Sequence, residues 1–126
     1  MTRRVSEIRT ESGSIACARC RLAESFLTRL RGLMFRSSLA PGEGLLFPRA
    51  RAVHTHFMRF PIDLAFLDAD DVVIDVRPAL RPWRTASCSQ ARSVLELAAG
   101  DLERGGVTVG TRLVRTSSAH AGVTAA

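Results

Sequence analysis

Residues His54 to Val76 read HTHFMRFPIDLAFLDADDVVIDV, and this stretch decides the fold. Two strand-like runs, Ile62 to Leu67 and Val72 to Val76, flank the four residues Asp68 to Asp71. Aspartate tolerates tight backbone angles and its side chain bonds its own backbone, so these four residues predict a hairpin turn. The sequence therefore predicts an antiparallel pair of strands, the clearest pair in the chain.

Patterns on either side of this hairpin predict further strands and one longer helix. Apolar residues recur at helical spacing over Ser25 to Met34, which predicts an amphipathic helix. Asp101 to Arg104 is expected to form a single helical turn before two glycines. Residues 1 to about 11 and the tail from Thr116 are polar and are expected to be loose. The additional strands are predicted at 14–22, 45–47, 52–58, 93–98 and 107–114, the last with a turn or bulge at Gly110.

Together these elements predict an α+β protein that is mainly antiparallel β. The sheet is expected to curl toward a barrel, with one or two short helices packed on it. A chain of 126 residues suits one domain. We expect that domain to span residues 1–126, with an ordered core at about 12–116.

Composition excludes several classes of partner. The net charge is +6 and all 18 basic residues are arginine, but they are spread along the chain. With no tyrosine and one tryptophan, no specific nucleic-acid surface is expected. No apolar run approaches the roughly 20 residues that cross a bilayer, and the first residues lack the apolar core of a secretory signal. We expect a cytoplasmic protein without a membrane partner; its oligomeric state stays open.

Cys17 and Cys20 have the spacing found in zinc knuckles and redox sites. Strand alternation over 14–22 places the two thiols on opposite faces, and the third cysteine, Cys88, does not supply a second ligand pair. The sequence therefore favours small structural residues at these positions. An odd cysteine count also argues against a disulfide framework.

His54 and His56 are the most conspicuous candidate ligands. On a strand they share one face with Met58, so both imidazoles project to the same side. Such a pair can bind a metal, with Asp63, Glu43 or a cysteine as a third ligand. The alternative is hydrogen bonding within a polar pocket. No set of four ligands is visible, so the prediction includes no metal and no cofactor.

Asp63 and Glu96 are carboxylates placed inside strand-like runs. A carboxylate at Asp63 is costly unless arginine or backbone donors pair with it. It is either part of a structural ion pair or part of a polar cluster that grips an anionic or hydroxyl-rich ligand. Glu96 shares a face with Val94, and is either an exposed carboxylate or a wall of the same pocket.

The segment Arg81-Pro82-Trp83-Arg84 is stiffened by proline and carries two arginines around a tryptophan. It is interpreted as a pocket wall, or as a tryptophan that covers an edge of the core. No nucleophile elbow, phosphate loop or dinucleotide fingerprint is present.

Five motifs occur in order: RGLMFR at 31–36, GEGLLF at 42–47, HTHFMRFPID at 54–63, RPWR at 81–84 and VLELAAG at 94–100, before VGTRL at 109–113. Over residues 14–115 the chain resembles the domain of unknown function 192 family, also called uncharacterised protein family 0127. The resemblance implies a small, mainly β protein with short helices and no assigned activity. It also implies that the matching polar positions, Arg36, Glu43, Asp63 and Glu96, line one site.

The leading functional hypothesis is a binding module for a small polar or anionic ligand. The alternatives are a metal-assisted hydrolase-type enzyme that uses His54, His56 and a carboxylate, and a purely structural or interaction domain. The predicted ligand-binding residues are Arg36, Glu43, His54, His56, Met58, Asp63, Arg81, Trp83, Arg84 and Glu96.

Overall fold

A computed structural model of the chain describes residues 5–23, 39–56 and 58–117. The helix predicted over Ser25 to Met34 and the candidate residue Arg36 lie outside these ranges. The elements within them are β1 (Val5–Thr10), β2 (Ile15–Leu22), β3 (Glu43–Pro48), β4 (Ala52–His54), β5 (Ile62–Leu67), β6 (Val73–Leu80), β7 (Thr85–Ser87), β8 (Ser93–Ala98), α1 (Asp101–Arg104) and β9 (Leu113–Ser117).

The described strands form one large sheet and one small one. The large sheet has the order β6-β5-β8-β3-β2-β1-β9, and β4 pairs with β7 in the small sheet. Only β2 and β3 pair in parallel among these described neighbours. The predicted hairpin is confirmed as β5 and β6. Its turn is closed by the Asp68 carboxylate, which accepts the amides of Asp70 at 2.8 Å and Val72 at 3.0 Å.

The large sheet curls until its two edge strands meet. Val72, just before β6, forms an antiparallel bridge with Arg112, just before β9. The Val73 amide donates to the Thr111 carbonyl at 2.8 Å, and the Leu113 amide donates to the Asp71 carbonyl at 2.9 Å. We call this contact the seam. It makes the sheet a half-barrel, which confirms the predicted β-rich, antiparallel and curled fold class.

Buried side chains form two clusters, one on each face of the sheet. The barrel core takes residues from all seven strands of the large sheet, including Ile8 of β1, Leu46 of β3 and Leu97 of β8. The flank core lies on the other face and includes Leu64 of β5, with Ala86 of the small sheet packed over it. Because both faces are covered, every residue of β5 and β8 is buried.

Several sequence-based expectations about element bounds are wrong. Val5–Thr10, expected to be loose, forms β1 because its backbone pairs with β2 on one side and β9 on the other. The last strand begins at Leu113 rather than at residue 107. Of the turn or bulge expected at Gly110, a turn forms over Thr108 to Thr111, with Gly110 at φ 98°. β4 likewise ends at His54 and does not continue to Met58. The single helical turn at Asp101–Arg104 is confirmed as α1.

Candidate functional site

Thr55 joins the end of β4 to the segment 81–84. It is fully buried, with 0% of its surface exposed. Its hydroxyl donates to the Arg81 carbonyl at 2.7 Å and accepts the Arg84 amide at 2.9 Å. Its backbone carbonyl also accepts the Trp83 amide at 3.0 Å. A hydroxyl is both donor and acceptor, so Thr55 satisfies both backbone groups and holds the two segments as one unit.

His54, His56 and Trp83 meet at the surface that this anchor holds. The imidazole centroids of His54 and His56 are 5.1 Å apart, with a 62° angle between the rings. The centroids of His56 and Trp83 are 5.2 Å apart at 87°, an edge-to-face contact. Trp83 is 54% exposed. We call these three residues the His–Trp surface.

The backbone of Trp83 is held in an unfavourable conformation. Its φ is 63°, in the left-handed region that side chains with a Cβ rarely adopt. Such a conformation costs on the order of 1–3 kcal/mol and persists only where the surroundings enforce it. Here the enforcement comes from Thr55, whose bonds bracket residues 81–84. The loop therefore exposes the indole. Trp83 does not cover an edge of the core, which was the alternative interpretation.

Arg81 and Arg84 flank Trp83 along the chain, and both are exposed. The Arg84 guanidinium donates to the Trp83 carbonyl at 3.4 Å, which keeps it beside the indole residue. Guanidinium groups bind carboxylates and phosphates through forked hydrogen bonds. The Arg84 guanidinium thus places a group that attracts anions beside the His–Trp surface.

Both carboxylate oxygens of Asp63 accept hydrogen bonds from backbone amides. It is 1% exposed, and its Oδ1 accepts the Ala79 amide at 2.8 Å. Its Oδ2 accepts the amides of Gly100 and Leu102, both at 3.0 Å. Those two amides stand at the start of α1, where helix donors lack partners, and Gly100 supplies no side-chain cap. Backbone donors, one of the two kinds of partner predicted, therefore satisfy Asp63.

Glu96 lies in the flank core, on the face opposite to Asp63. It pairs with Leu45 of β3 and Leu64 of β5, whereas Asp63 pairs with Leu97. Because side chains alternate along a strand, the two carboxyl groups point away from each other. Glu96 is 4% exposed, and burial raises the pKa of its carboxyl to about 8. It is buried and protonated at neutral pH, rather than an exposed carboxylate.

The remaining predicted residues have structural contacts. Glu43 accepts the Ala40 amide at 3.1 Å and lies 4.0 Å from the Arg19 guanidinium. Met58 is buried in the flank core. Of the predicted residues that the structure describes, it brings His54, His56 and Trp83 together, with Arg84 bonded to the Trp83 backbone and Arg81 two positions before Trp83. Within residues 5–23, 39–56 and 58–117, no group of three or more His, Cys, Asp or Glu side chains is placed to hold a metal ion.

Sequence reasoning missed two features of the molecule. The sequence did not indicate the anchoring role of Thr55, because a threonine between two histidines fits an ordinary alternating strand. A cavity of about 250 Å³ was also missed, because one of its walls is β1, which was expected to be loose. Its lining residues are Ser6, Ile8, Cys20, Arg21, Leu22, Leu46 and Arg115.

Comparison with known proteins places the chain in a family. The family model DUF192, described as "Uncharacterized ACR", matches residues 7–115. The chain belongs to the DUF192 family. The resemblance drawn from the five motifs is thereby confirmed. A UPF0127 protein of Pyrococcus furiosus is 38% identical over 100 residues, 74% of this chain and 83% of that protein.

A second relative is matched over less of its length than the first. A UPF0127 protein of Thermococcus sibiricus is 32% identical over 81 residues, which are 61% of this chain and 52% of the relative. Among solved structures, a candidate transcription regulator from Sinorhizobium meliloti has a TM-score of 0.77 at 28% identity, covering 90% of this chain and 94% of that chain.

A protein of unknown function from Novosphingobium aromaticivorans has a TM-score of 0.73 at 24% identity, covering 87% of this chain and 83% of that one. At this identity the likeness establishes the fold alone. Within the described part of this DUF192 chain, no helix combines the length and the apolar character that crossing a membrane requires.

Proposed function

We propose that this DUF192 protein is a binding module for a small anionic ligand, and that the His–Trp surface is its binding site. The observation that carries the proposal is Trp83, an exposed indole on a strained backbone, held by Thr55 between two arginines. Strained residues of this kind cluster at ligand-binding sites. An indole face offers apolar contact while guanidinium groups pair with an anion. The favoured ligand class is therefore an anionic group joined to a flat apolar one.

The sole tryptophan of the chain makes the proposal directly testable. Phenyl phosphate and benzoate are titrated while Trp83 emission is followed, with benzyl alcohol as the uncharged comparison. We expect saturable changes with the two anions and none with the alcohol. The Arg81→Ala, Arg84→Ala double variant should weaken binding about tenfold, equal to roughly 1.4 kcal/mol.

Arg112→Ala is the matched control, because Arg112 is exposed at the seam and borders a different part of the fold. Equal binding by the double variant and by the control would refute the assignment of the site. Equal binding of benzyl alcohol would refute an anionic ligand.

The alternative hypothesis, a metal-assisted hydrolase, is less well supported than the binding module. The carboxylates suggested as a third ligand, Asp63 and Glu43, are each bonded to backbone amides. Elemental analysis of the purified protein tests this alternative, because a stoichiometric bound metal that is lost in a His54→Ala, His56→Ala variant would revive it.

A further inference from the structure

One irregularity in β2 changes which way its cysteines face. β1 and β2 pair with Ser6 opposite Cys20, but with Ile8 opposite Cys17. Two steps along β1 thus match three steps along β2, which is a β-bulge. The extra residue shifts the alternation by one position. Cys17 and Cys20 therefore both lie in the barrel core, and the expectation that they point to opposite faces is wrong.

Each of the two thiols shifts the pKa of the other. Hydrogen bonding with the Cys20 thiol is the largest influence on Cys17 and lowers its pKa. The same contact raises the pKa of Cys20, and burial acts in the same direction. The Cys17 thiol also donates to the Gly42 carbonyl at 3.4 Å. Both cysteines carry free thiols.

The backbone separation is compatible with a disulfide. Cys17 and Cys20 lie opposite residues two steps apart on β1, and two steps of a strand span about 6.8 Å. Disulfides join Cα atoms separated by about 4.4–6.8 Å. The pair is at the upper end of that range, and the bulge between them is the part of β2 whose backbone departs from the regular ladder.

One of the two cysteines borders a cavity. Cys20 lines the cavity of about 250 Å³ at the end of the barrel core, while Cys17 lies behind it with 0% of its surface exposed. Arg21 and Arg115 also line this cavity. A small polar oxidant therefore has a route to a dithiol that is otherwise enclosed by apolar side chains.

We propose that Cys17 and Cys20 form a redox-active dithiol that a hydroperoxide, entering through this cavity, oxidises to a disulfide. Cys17, whose pKa the contact with Cys20 lowers, attacks as the thiolate a peroxide that has entered beside Cys20, and it cleaves the O–O bond, which gives a sulfenic acid on Cys17 and, after protonation, an alcohol. The second thiol then displaces water from the sulfenic acid and forms the S–S bond. The two sulfurs together lose two electrons, and the peroxide is reduced by two. A dithiol reductant reverses the step by exchange.

The test uses the full chain and hydrogen peroxide, with Cys88 as an internal comparison. After exposure the protein is denatured, free thiols are alkylated, and intact mass and peptide mapping follow. We expect a loss of two hydrogen atoms, alkylation of Cys88 alone, and a Cys17–Cys20 linked peptide that dithiothreitol abolishes. Cys88→Ser should behave like the wild type, whereas Cys17→Ser and Cys20→Ser should form no internal disulfide.

Peptide mapping of the wild-type protein tests whether the Cys17–Cys20 disulfide forms, even if a cysteine variant fails to fold. Oxidation of Cys88 while Cys17 and Cys20 stay alkylatable would overturn the proposal, as would over-oxidation of either sulfur without the linked peptide. Leu22→Trp narrows the cavity, and we expect it to slow disulfide formation severalfold. An unchanged rate would overturn the cavity as the route. The result is independent of the His–Trp surface, none of whose residues lines the cavity.

Discussion

Thr55 and Arg84 bind each other through two amides: the Thr55 amide donates to the Arg84 carbonyl at 2.8 Å, and the Arg84 amide donates to the Thr55 hydroxyl at 2.9 Å. This pairing extends the small sheet beyond β4 and β7 and turns the segment 81–84 back toward the histidines. The position of the exposed indole thus depends on a buried hydroxyl.

Thr55→Val keeps the shape of this side chain and removes its hydroxyl. The Arg84 amide then loses its partner inside the protein, and an unpaired buried polar group costs about 1–3 kcal/mol. We expect that loss of unfolding free energy in urea denaturation, together with an altered Trp83 emission maximum. Thr55→Ser retains the hydroxyl and should restore most of the stability. A Thr55→Val variant as stable as the wild type would show that the hydroxyl is dispensable.

Asp63→Ala removes the acceptor for three backbone amides. Each unpaired amide costs about 1–3 kcal/mol, so we expect a loss on the order of 3 kcal/mol or more, measured by chemical denaturation. Asp63→Asn keeps one acceptor oxygen but turns an NH₂ group toward backbone donors. The stability of this variant should therefore lie between that of the wild type and that of Asp63→Ala. Asp70→Asn is the control, since Asp70 is exposed, and should change stability by less than about 0.5 kcal/mol. A loss confined to binding would contradict the structural role of Asp63.

Glu96 gives the protein a pH-dependent stability. In the unfolded chain its carboxyl ionises near the ordinary pKa of 4.5, while burial raises the pKa in the folded protein to about 8. Between these values the folded state keeps a proton that the unfolded state has released. The contribution of Glu96 is therefore complete below pH 4.5 and falls by up to about 1.4 kcal/mol per pH unit as pH rises toward 8.

Glu96→Gln should remove that slope, because the amide is neutral at every pH and similar in size. The measurement is the unfolding free energy at pH 5 and pH 8 for both proteins. We expect the wild type to lose more stability than the variant between the two values. Parallel pH profiles would contradict the raised pKa.

Trp83→Gly separates stability from binding. Glycine adopts a φ of 63° without strain, which offsets the loss of the indole contact with His56. We expect a change in unfolding free energy of less than about 1 kcal/mol, and loss of phenyl phosphate binding by calorimetry. A large destabilisation with intact binding would mean that the indole is a structural element rather than part of the site.

The sequence predicted those elements whose cause is local. The β5–β6 hairpin followed from the aspartates between two apolar runs, and the turn of α1 followed from its flanking glycines. β1 was missed because its stability comes from backbone pairing with strands distant in the chain, while VSEIRT has little apolar pattern of its own. The prediction that Cys17 and Cys20 lie on opposite faces was wrong because a bulge depends on how two strands pair. The alternation of residues along one strand does not reveal it.

The candidate site was predicted in part for similar reasons. The sequence indicated that Asp63 needs a partner. Arginines were the more conspicuous candidates along the chain, but backbone amides are the partners that bind it. The opposite facing of Asp63 and Glu96 depends on the register between β5 and β8, which spacing along the chain does not encode. The meeting of His56 with Trp83 depends on Thr55, a residue whose importance appears only once its partners are known.

The seam joins β6 and β9 only near their first residues, so most of each edge strand stays open along the described chain. An open edge is a template on which another copy can add a strand, and repeated addition leads to fibres. Pro78 stands within β6 and has no amide hydrogen to offer. The neighbouring Arg77 and Asp75 place charges along the same edge. Proline and charged residues of this kind oppose the addition of a further strand at β6.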